Sequence, residues 1–453
     1  MKQNIFEADM IEENNSFEGM DNTELPVYYT RTSGETVKKG KKKKNRSYFY
    51  GVMTGIWISV ILFAAGNLIG WFIGNGGGFG GKEIAASSDG KDEVVTTDTT
   101  RKMMAIEDVI HQYYLEDTDA AALENGIYSG MIASLDDPYS AYYSAEELEE
   151  MEQDVEGIYF GIGAYVGIDT ATSLPVISGV IEGTPAEEAD LRDGDLIYMV
   201  DDTLTQGMDT TEVVSLIRGE ENTSVHLTLI REGEEDYVEV DVTRRQVESP
   251  TVEYEMLDNN IAYIQITEFD QVTIDQFTEA LAVCKGSDME GLILDLRSNP
   301  GGSLNAVCEI ARKILPKGLI VYTEDKYGAK EELTCDGNNE IQVPMVVLVN
   351  DYSASASEIL AGAIQDYGKG ILMGTQTYGK GIVQRVIALS DGSAVKLTIS
   401  HYYTPNGRNI HEVGIEPDVI VEFDGEAYYN DGFDNQLEEA VTYMKEQLGK
   451  ANE

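Results

Sequence analysis

A serine and a lysine lie in sequence surroundings that favour nucleophilic chemistry. Ser355 stands between the apolar strand pattern MVVLVN (345–350) and a helix pattern that reaches Gln365. A strand that enters a helix through a tight turn places a hydroxyl at the helix N-terminus, where the helix dipole and unpaired backbone N–H groups favour developing negative charge. Ser355 is therefore a candidate nucleophile, and the N–H of Ala356 is a candidate oxyanion donor.

A second oxyanion donor must come from another loop. The turn NPGG, which follows the strand pattern GLILDLR (291–297), is a natural source. Glycine lets a backbone approach a substrate carbonyl closely. Gly302 is the preferred donor in this interpretation, and Gly301 is the next.

Lys380 is the candidate general base. A lysine accepts a proton at neutral pH only if its pKa falls well below about 10.4, which burial among apolar groups achieves. No acidic residue is closer to it in sequence than Asp366 or Asp391. If residues 380–384 form a helical turn, Gln384 lies about 5–6 Å away and reaches the amine. If they are extended, the separation is about 13 Å and this orienting role fails.

Ser355 also has an interpretation without catalysis. Ser355 and Glu358 have the spacing of a capping box, which would explain both residues structurally. A catalytic histidine is not expected, because the chain has no Gly-x-Ser-x-Gly elbow. His401 and His411 flank a turn rich in Tyr, Pro and Gly, and no motif pairs either one with an acid and a serine.

The segments around these residues resemble the carboxy-terminal processing peptidases, also called tail-specific proteases. The resemblance rests on VLVNDYSASASEILAGAIQDYG (347–368), GTQTYGKGIVQ (374–384) and DLRSNPGG (295–302). It implies that Ser355 is the nucleophile, that Lys380 is its general base and that Gln384 orients the lysine. With this resemblance, the catalytic interpretation of Ser355 is preferred to the capping box.

Residues 157–245 resemble a PDZ domain of the bacterial protease kind. Short β-type runs surround one helix pattern, and GTPAEEADLRDGDLIYMVDD (183–202) carries the resemblance. Upstream, FGIG resembles the carboxylate-binding loop of that family. Its glycines let successive N–H groups form a nest for a terminal carboxylate, and the following strand accepts an extended peptide. The peptide-binding residues implied are Phe160, Gly161, Ile162 and Gly163.

The PDZ-like region departs from the usual pattern at two turns. Asp190 stands where Gly is usual, and Asp201–Asp202 stands where Asn-Gly is usual. Aspartate tolerates the left-handed backbone conformation better than most residues, so both turns are expected to form. Arg218, at the end of the PDZ helix, either reads the substrate or compensates the helix C-terminus, and the second interpretation is favoured.

Strand and helix patterns alternate from Ile261 onward and indicate an α/β core. The expected fold is a multidomain α/β (α+β) chain. Its β-rich PDZ domain is inserted before an α/β catalytic core that resembles crotonases and Clp proteases. Near the end of the core, Val395 and Leu397 alternate with Lys396 and Thr398, a pattern typical of a half-exposed strand.

An uncharged segment of 26 residues, Tyr48 to Ile73, is long enough for one transmembrane helix. Seven of the nine residues at 38–46 are basic, which predicts a cytoplasmic N-terminus and an extracytoplasmic catalytic domain. A cleaved signal peptide is the alternative, although its apolar region would be shorter and nearer the start. The predicted protein is therefore a single-pass membrane protein.

The charge and the cysteines exclude several other functions. The formal net charge is −49, and residues 1–46 hold nine Lys/Arg against eight Asp/Glu, so about −50 falls on the rest. Such an acidic body repels phosphate backbones, so no nucleic-acid partner is expected. Cys284, Cys308 and Cys335 have neither paired nor metal-ligand spacing and are expected to be buried. No metal and no cofactor are expected.

The sequence thus predicts a membrane-anchored serine endopeptidase that cleaves proteins near or from their C-terminus. Its partners would be proteins or peptides with free apolar C-termini, and its helical lead-in offers a contact for a homodimer. Two alternatives remain open: a membrane-tethered peptide-binding scaffold with an inactive core, and a non-proteolytic enzyme similar to acyl-CoA hydratases. The predicted segments are a cytoplasmic tail (1–47), a transmembrane helix (48–73), a linker (74–98), the lead-in (99–156), the PDZ domain (157–245), the protease core (246–425) and a C-terminal helix (426–453).

Overall fold

The computed structural model of the protein describes residues 93–451. The predicted cytoplasmic tail, the predicted transmembrane helix at 48–73 and most of the predicted linker lie outside these residues. Among the helices at 93–451, none combines the length and the apolar character that a membrane crossing requires.

The N-terminal lead-in is helical with one short strand. Helix α3 begins with the predicted capping box, because Ser144 and Glu147 bind each other's backbone N–H groups. The first two helices bury none of their residues, and several of their apolar side chains are exposed. The elements are α1 (Thr97–Tyr113), α2 (Ala120–Ala133), β1 (Ala141–Tyr143) and α3 (Ala145–Glu156).

The PDZ region follows as a β-rich unit with its own core. Its main sheet has the antiparallel order β3-β4-β5-β7-β8, with β6 on β5, and β2 pairs separately with β9. Asp190 and Asp201 have φ of 55° and 51°, which confirms the predicted left-handed turns. The elements are β2 (Ile158–Gly161), β3 (Ala164–Ile168), β4 (Pro175–Val180), α4 (Pro185–Glu188), β5 (Leu196–Val200), β6 (Thr203–Leu204), α5 (Thr210–Ile217), β7 (Ser224–Ile230), β8 (Val238–Thr243) and β9 (Arg245–Glu248).

The catalytic core and the C-terminus contain the remaining elements. Buried apolar strands alternate with helices in the first part, as the sequence predicts. The elements are β10 (Val252–Leu257), a 3-10 turn (Asp258–Asn260), β11 (Ile261–Ile266), α6 (Gln271–Gly286), β12 (Gly291–Asp295), α7 (Leu304–Ala311), β13 (Gly318–Asp325), β14 (Lys330–Cys335), β15 (Met345–Val349), α8 (Ala356–Asp366), β16 (Ile371–Gly374), β17 (Ile382–Ala388), β18 (Ala394–Tyr403), β19 (Val419–Ile420), α9 (Gly425–Asp431) and α10 (Asn435–Ala451).

The main core sheet has the order β10-β11-β12-β15-β16-β19. Its strands from β11 onward are parallel, and β10 is antiparallel to β11. Neighbouring parallel strands end at the same edge, so the loops after β12 and β15 meet there. The three cysteines are free and buried in the adjoining apolar core, as predicted. In residues 93–451, no three His, Cys, Asp or Glu side chains are grouped to hold a metal.

A second core sheet recruits a strand from the lead-in. Its order is β1-β18-β13-β14, and β17 also pairs with β18. The prediction of a half-exposed strand with Lys396 on its open face was wrong, because Lys396 is only 2% exposed. In the register, β1 places Ala141 opposite Lys396, and the ring of Tyr143 packs against the lysine. A strand that lies about 250 residues earlier thus covers this face.

Candidate active site

Ser355 lies at the carboxyl end of the buried strand β15, directly before α8. Its backbone has φ 54° and ψ −112°, a combination that non-glycine residues rarely adopt. Such strain persists only where the surrounding structure enforces it, and it is common at catalytic sites. The hydroxyl of Tyr402 donates to the Ser355 carbonyl at 3.0 Å and helps to hold this turn. The predicted strand-turn-helix setting is present.

Asn299 joins the loop after β12 to the turn that carries Ser355. Its carbonyl accepts from the N–H of Ala354 at 3.0 Å and from the hydroxyl of Ser357 at 2.9 Å. Its side-chain amide donates to the carbonyl of Ile266, and its side-chain oxygen accepts from the N–H of Gly301 at 2.8 Å. Asn299 is fully buried, and nothing in its sequence neighbourhood indicated this role.

The glycine turn packs directly against Ser355. Gly301 has φ 111°, and a Cβ there would lie 2.7 Å from the Cβ of Ser355. Gly302 has φ 133°, and a Cβ there would lie 2.5 Å from the carbonyl oxygen of Phe269. The N–H of Gly301 donates to the Asn299 side chain, so of the two glycines Gly302 stays the preferred candidate for an oxyanion donor.

The carboxylate of Glu358 connects Ser355 to the loop that carries Lys380. Its Oε2 accepts from the N–H of Ser355 at 2.9 Å and from that of Lys380 at 2.8 Å. Its Oε1 accepts from the N–H of Gly379 at 2.7 Å and from the hydroxyl of Thr377 at 2.6 Å. Burial raises the pKa of this carboxyl, and the four donors oppose that change. The capping contact foreseen at Glu358 is therefore one part of a larger arrangement.

Lys380 is buried, with 5% of its surface exposed. Burial lowers the pKa of its ammonium group to about 8, and the carboxylates of Glu358 and Asp137 partly oppose that effect. Its Nζ lies 4.6 Å from the ring centroid of Tyr139. The sequence predicted the burial but not the two carboxylates, which are 22 and 243 residues away along the chain. An amine with this pKa is substantially neutral near pH 8 and is able to accept a proton.

Gln384 lies on the extended strand β17 rather than in a helical turn. The structure therefore has the extended alternative, for which the orienting role through a helical turn was expected to fail, and the strand has a register irregularity between Val383 and Gln384. The Gln384 amide donates to the hydroxyl of Thr398 at 3.2 Å. Burial raises the pKa of the Asp137 carboxyl, but hydrogen bonding by Ser140, Tyr139 and Thr398 and the charge of Lys380 lower it overall, so Asp137 lies near both Thr398 and the lysine. Gln384 is connected to the lysine through Thr398 and Asp137.

The PDZ loop at Phe160–Gly163 lies beside the start of α4 and leads into strand β3. The carbonyls of Ile162 and Gly163 accept from the N–H groups of Ala186 and Ile181. A trans peptide directs its N–H opposite to its C=O, so the N–H groups of Gly163 and Ala164 point away from these contacts. The following strand, β3, is at the edge of its sheet among residues 93–451.

Arg218 ends α5, as predicted, and lies beside the start of this loop. A Cβ added at Gly161 would be 3.8 Å from the Arg218 side chain. The guanidinium packs over the ring of Tyr159 at 4.8 Å and lies 3.9 Å from the carboxylate of Asp154. Arg218 therefore contacts the lead-in as well as the PDZ loop. These contacts go beyond the role favoured from the sequence, in which Arg218 only compensates the C-terminus of α5.

Three regions of the chain match known family models. Residues 260–421 match the model of peptidase family S41, residues 176–231 match a PDZ domain, and residues 71–147 match the N-terminal domain of the activating protease CtpB. The chain is 35% identical to the carboxy-terminal processing protease CtpA of Bacillus subtilis over 383 residues, which cover 84% of this chain and 78% of that protein.

A second relative has a similar level of identity. A carboxyl-terminal-processing protease of Synechocystis is 37% identical over 296 residues, with 64% of this chain and 69% of that protein covered. A solved photosystem II D1 C-terminal processing protease is 30% identical, with 70% of this chain and 86% of that one covered and a TM-score of 0.43. On the strength of the two sequence relatives and the S41 and PDZ matches, this chain belongs to the carboxy-terminal processing protease family and is a serine-type peptidase with a PDZ domain.

Proposed function

We propose that the protein is a membrane-anchored serine endopeptidase that cleaves proteins near or from their C-terminus with a Ser355–Lys380 dyad. The observation that carries the proposal is the shared oxygen of Glu358, which binds the backbone of both residues. The burial of Lys380, which favours its neutral form, supports the role of base.

In the proposed mechanism, the Lys380 amine takes the proton of the Ser355 hydroxyl while Oγ attacks the substrate carbonyl carbon. The N–H groups of Ala356 and Gly302 stabilise the resulting oxyanion. Lys380 then gives the proton to the leaving amine, and an acyl-enzyme remains. Water attacks this ester with Lys380 again as base, which releases a carboxylic acid and regenerates the serine. Gln384 acts as a positioning residue through Thr398 and Asp137.

The dyad is tested by substitution in the full-length chain, purified in detergent. Ser355→Ala and Lys380→Ala should each abolish cleavage of an unstructured protein, with little change in thermal unfolding. Gln384→Ala should reduce the rate less. The matched controls are Ser287→Ala and Lys285→Ala, because both residues are exposed on the end of α6. Full activity in Lys380→Ala would reject the dyad. If the unsubstituted chain itself cleaves nothing, the alternative of a peptide-binding scaffold with an inactive core is favoured.

We further assign substrate capture to the PDZ loop at Phe160–Gly163. A terminal carboxylate suits the N–H groups of Gly163 and Ala164, which point away from the contacts within the domain, and the nearby Arg218. The open edge of β3 suits the extended chain that precedes such a carboxylate. Arg218 also contacts Asp154, so its role in capture is separable from the role of the backbone nest.

The membrane anchor and the dimer remain proposals that rest on other features. The apolar span at 48–73 and the basic run before it support a cytoplasmic N-terminus. Protease added to intact cells should digest the body of the protein, and full protection would refute this orientation.

Exposed Met104, Ile106 and Val109 on α1 support a dimer contact. Light scattering should then show a dimer that Ile106→Glu dissociates, and a monomer at all concentrations would reject it.

A further inference from the structure

A second buried lysine, Lys396, lies near the same segment as the proposed base: Lys380 lies over the ring of Tyr139, and Lys396 lies opposite Ala141, two residues further along the chain. It is 2% exposed, and its Nζ is 5.2 Å from the ring centroid of Tyr143. Lys396 and Thr398 are two residues apart on β18, so their side chains share one face of the sheet. The hydroxyl of Thr398 accepts from the Gln384 amide, and the N–H of Thr398 donates to Ser140 in the loop that carries Asp137, so Lys396 shares a sheet face with residues around the proposed base.

Asp137 belongs to a loop of the lead-in that closes over both lysines. Its carboxylate accepts from the hydroxyl of Ser140 at 2.6 Å, and that hydroxyl also accepts from the N–H of Thr398 at 3.2 Å. The loop thereby fixes one negative charge near two potential positive charges. Strand β1, which follows directly, pairs with β18 and buries Lys396.

We propose that Lys396 is a positioning residue for the proposed base: its positive charge disfavours a proton on Lys380, and the Asp137 carboxylate limits that effect. The inference rests on the proposed dyad, because it assigns Lys396 a role only through Lys380. Lys396 need not touch the substrate for this purpose.

The charges around the two amines support this assignment. Lys380 is faced by Glu358, Asp137 and Tyr139, and Lys396 is faced by Lys380, Asp137 and Tyr143. Burial and the charge of Lys380 together lower the pKa of Lys396 to about 8, and Asp137 partly opposes them. Two like charges at close range titrate as a pair, so each amine lowers the average proton occupancy of the other.

Removal of the Lys396 charge and removal of the Asp137 charge should therefore shift the pH dependence of kcat/KM in opposite directions. Activity requires neutral Lys380, so kcat/KM rises as pH increases through the pKa of that amine. Without the charge of Lys396, Lys380 holds its proton to higher pH. Without the charge of Asp137, it loses its proton at lower pH. A pair of charges in a partly screened interior is expected to move this midpoint by about one pH unit.

The test is the pH profile of kcat/KM for the full-length chain in detergent, with a peptide substrate. Lys396→Gln should move the acid limb to higher pH by about one unit, Lys396→Arg should leave it at the wild-type position or move it to lower pH because arginine is always charged, and Asp137→Asn should move it to lower pH. An unmoved limb in Lys396→Gln, or a basic shift in Asp137→Asn, would overturn the inference. If Lys396→Gln does not fold, Lys396→Arg decides, and an acid limb at higher pH than in wild type would overturn the inference.

The experiments distinguish a failure of the Lys396 role from a failure of the Ser355–Lys380 dyad. If Lys380→Ala retains activity, the proposed function fails and this inference fails with it. If Lys380→Ala is inactive and the Lys396→Gln limb does not move, the dyad stands and only the role of Lys396 is rejected. Lys285→Ala, a substitution of an exposed lysine on α6, is the control for a general loss of positive charge.

Discussion

The backbone N–H groups of Ser355 and Lys380 donate to the same oxygen, Oε2 of Glu358, at 2.9 and 2.8 Å. The proposed nucleophile and the proposed base, 25 residues apart in the chain, are thus held by one buried side chain. The other carboxylate oxygen fixes Thr377 and Gly379, which precede the lysine. The relative position of the dyad therefore depends on a residue that takes no part in proton transfer.

Glu358→Gln should weaken both the positioning of the proposed dyad and the stability of the fold. An amide NH₂ donates rather than accepts, so it cannot replace one of the two carboxylate oxygens, and two buried donors lose their partner. We expect kcat to fall on the order of 100-fold, because small displacements of reacting groups have effects of that size. Unfolding free energy should fall by about 1–3 kcal/mol. Near wild-type kcat would contradict the role, and exposed Glu279→Gln on α6 is the control.

Gly301→Ala should distort the nucleophile turn. The added Cβ would lie 2.7 Å from the Cβ of Ser355 and 3.0 Å from the nitrogen of Ala356, at a φ of 111° that alanine rarely adopts. Cleavage and the melting temperature should both fall. Gly286→Ala is the matched control, because no atom lies within 4 Å of a Cβ there. Unchanged cleavage in Gly301→Ala would show that the turn is not this closely packed.

Asp270→Asn should stabilise the protein at alkaline pH. Burial, with smaller contributions from the charges of Glu268 and Asp154, raises the pKa of Asp270 to about 9. A carboxyl whose folded pKa is raised contributes stability at pH below its unfolded pKa, near 4, and this stability is lost as pH increases toward 9. Asparagine carries no charge and avoids this loss.

Thermal or urea unfolding at several pH values measures the effect. The substituted protein should exceed wild type by about 1 kcal/mol or more at pH 8, and the difference should shrink toward pH 5. Exposed Asp275→Asn on α6, the helix that Asp270 directly precedes, should show no such trend. A difference that grows on acidification would reject the assignment of Asp270 as a neutral buried acid.

Substrate tails should be distinguished by their terminal charge. Ser355→Ala in the full-length chain should bind a peptide with a free apolar C-terminus more tightly than the same peptide amidated. A charge-assisted bond to a backbone nest is worth about 1.5–3 kcal/mol, or roughly 10- to 150-fold in Kd.

Gly163→Val should remove this preference. The added side chain would meet Thr184 at 2.3 Å, at a φ of 83°. Fluorescence anisotropy of labelled peptides provides the measurement. Equal binding of the acid and the amide by the unsubstituted loop would rule out tail recognition there, while the protease assignment would survive.

Short-range patterns in the sequence predicted much of the fold. β4 and β16 have the predicted bounds, because apolar runs between turn residues define buried strands. The serine turn and the glycine turn were found for the same reason, since adjacent residues carry the signal. The left-handed aspartates at 190 and 201 also followed from local backbone chemistry.

Contacts between distant segments could not be predicted from such patterns. The alternation in β18 indicated that Lys396 is exposed, and only the pairing with β1 buries it. Glu358 has the local signature of a capping residue, whereas its contacts with Thr377, Gly379 and Lys380 depend on the tertiary fold. Asp137 lies in a loop whose sequence gives no sign that it approaches the lysine.

Covalent labelling of the nucleophile tests the Ser355–Lys380 dyad most directly. The full-length chain is incubated with a fluorophosphonate at pH 6 to 10, and the adduct is located by mass spectrometry in wild type and in Lys380→Ala. The dyad predicts an adduct on Ser355 whose rate of formation rises with pH through about 8, as Lys380 loses its proton, and little adduct in Lys380→Ala. An adduct on another residue, or labelling of Lys380→Ala at the wild-type rate, would contradict the dyad.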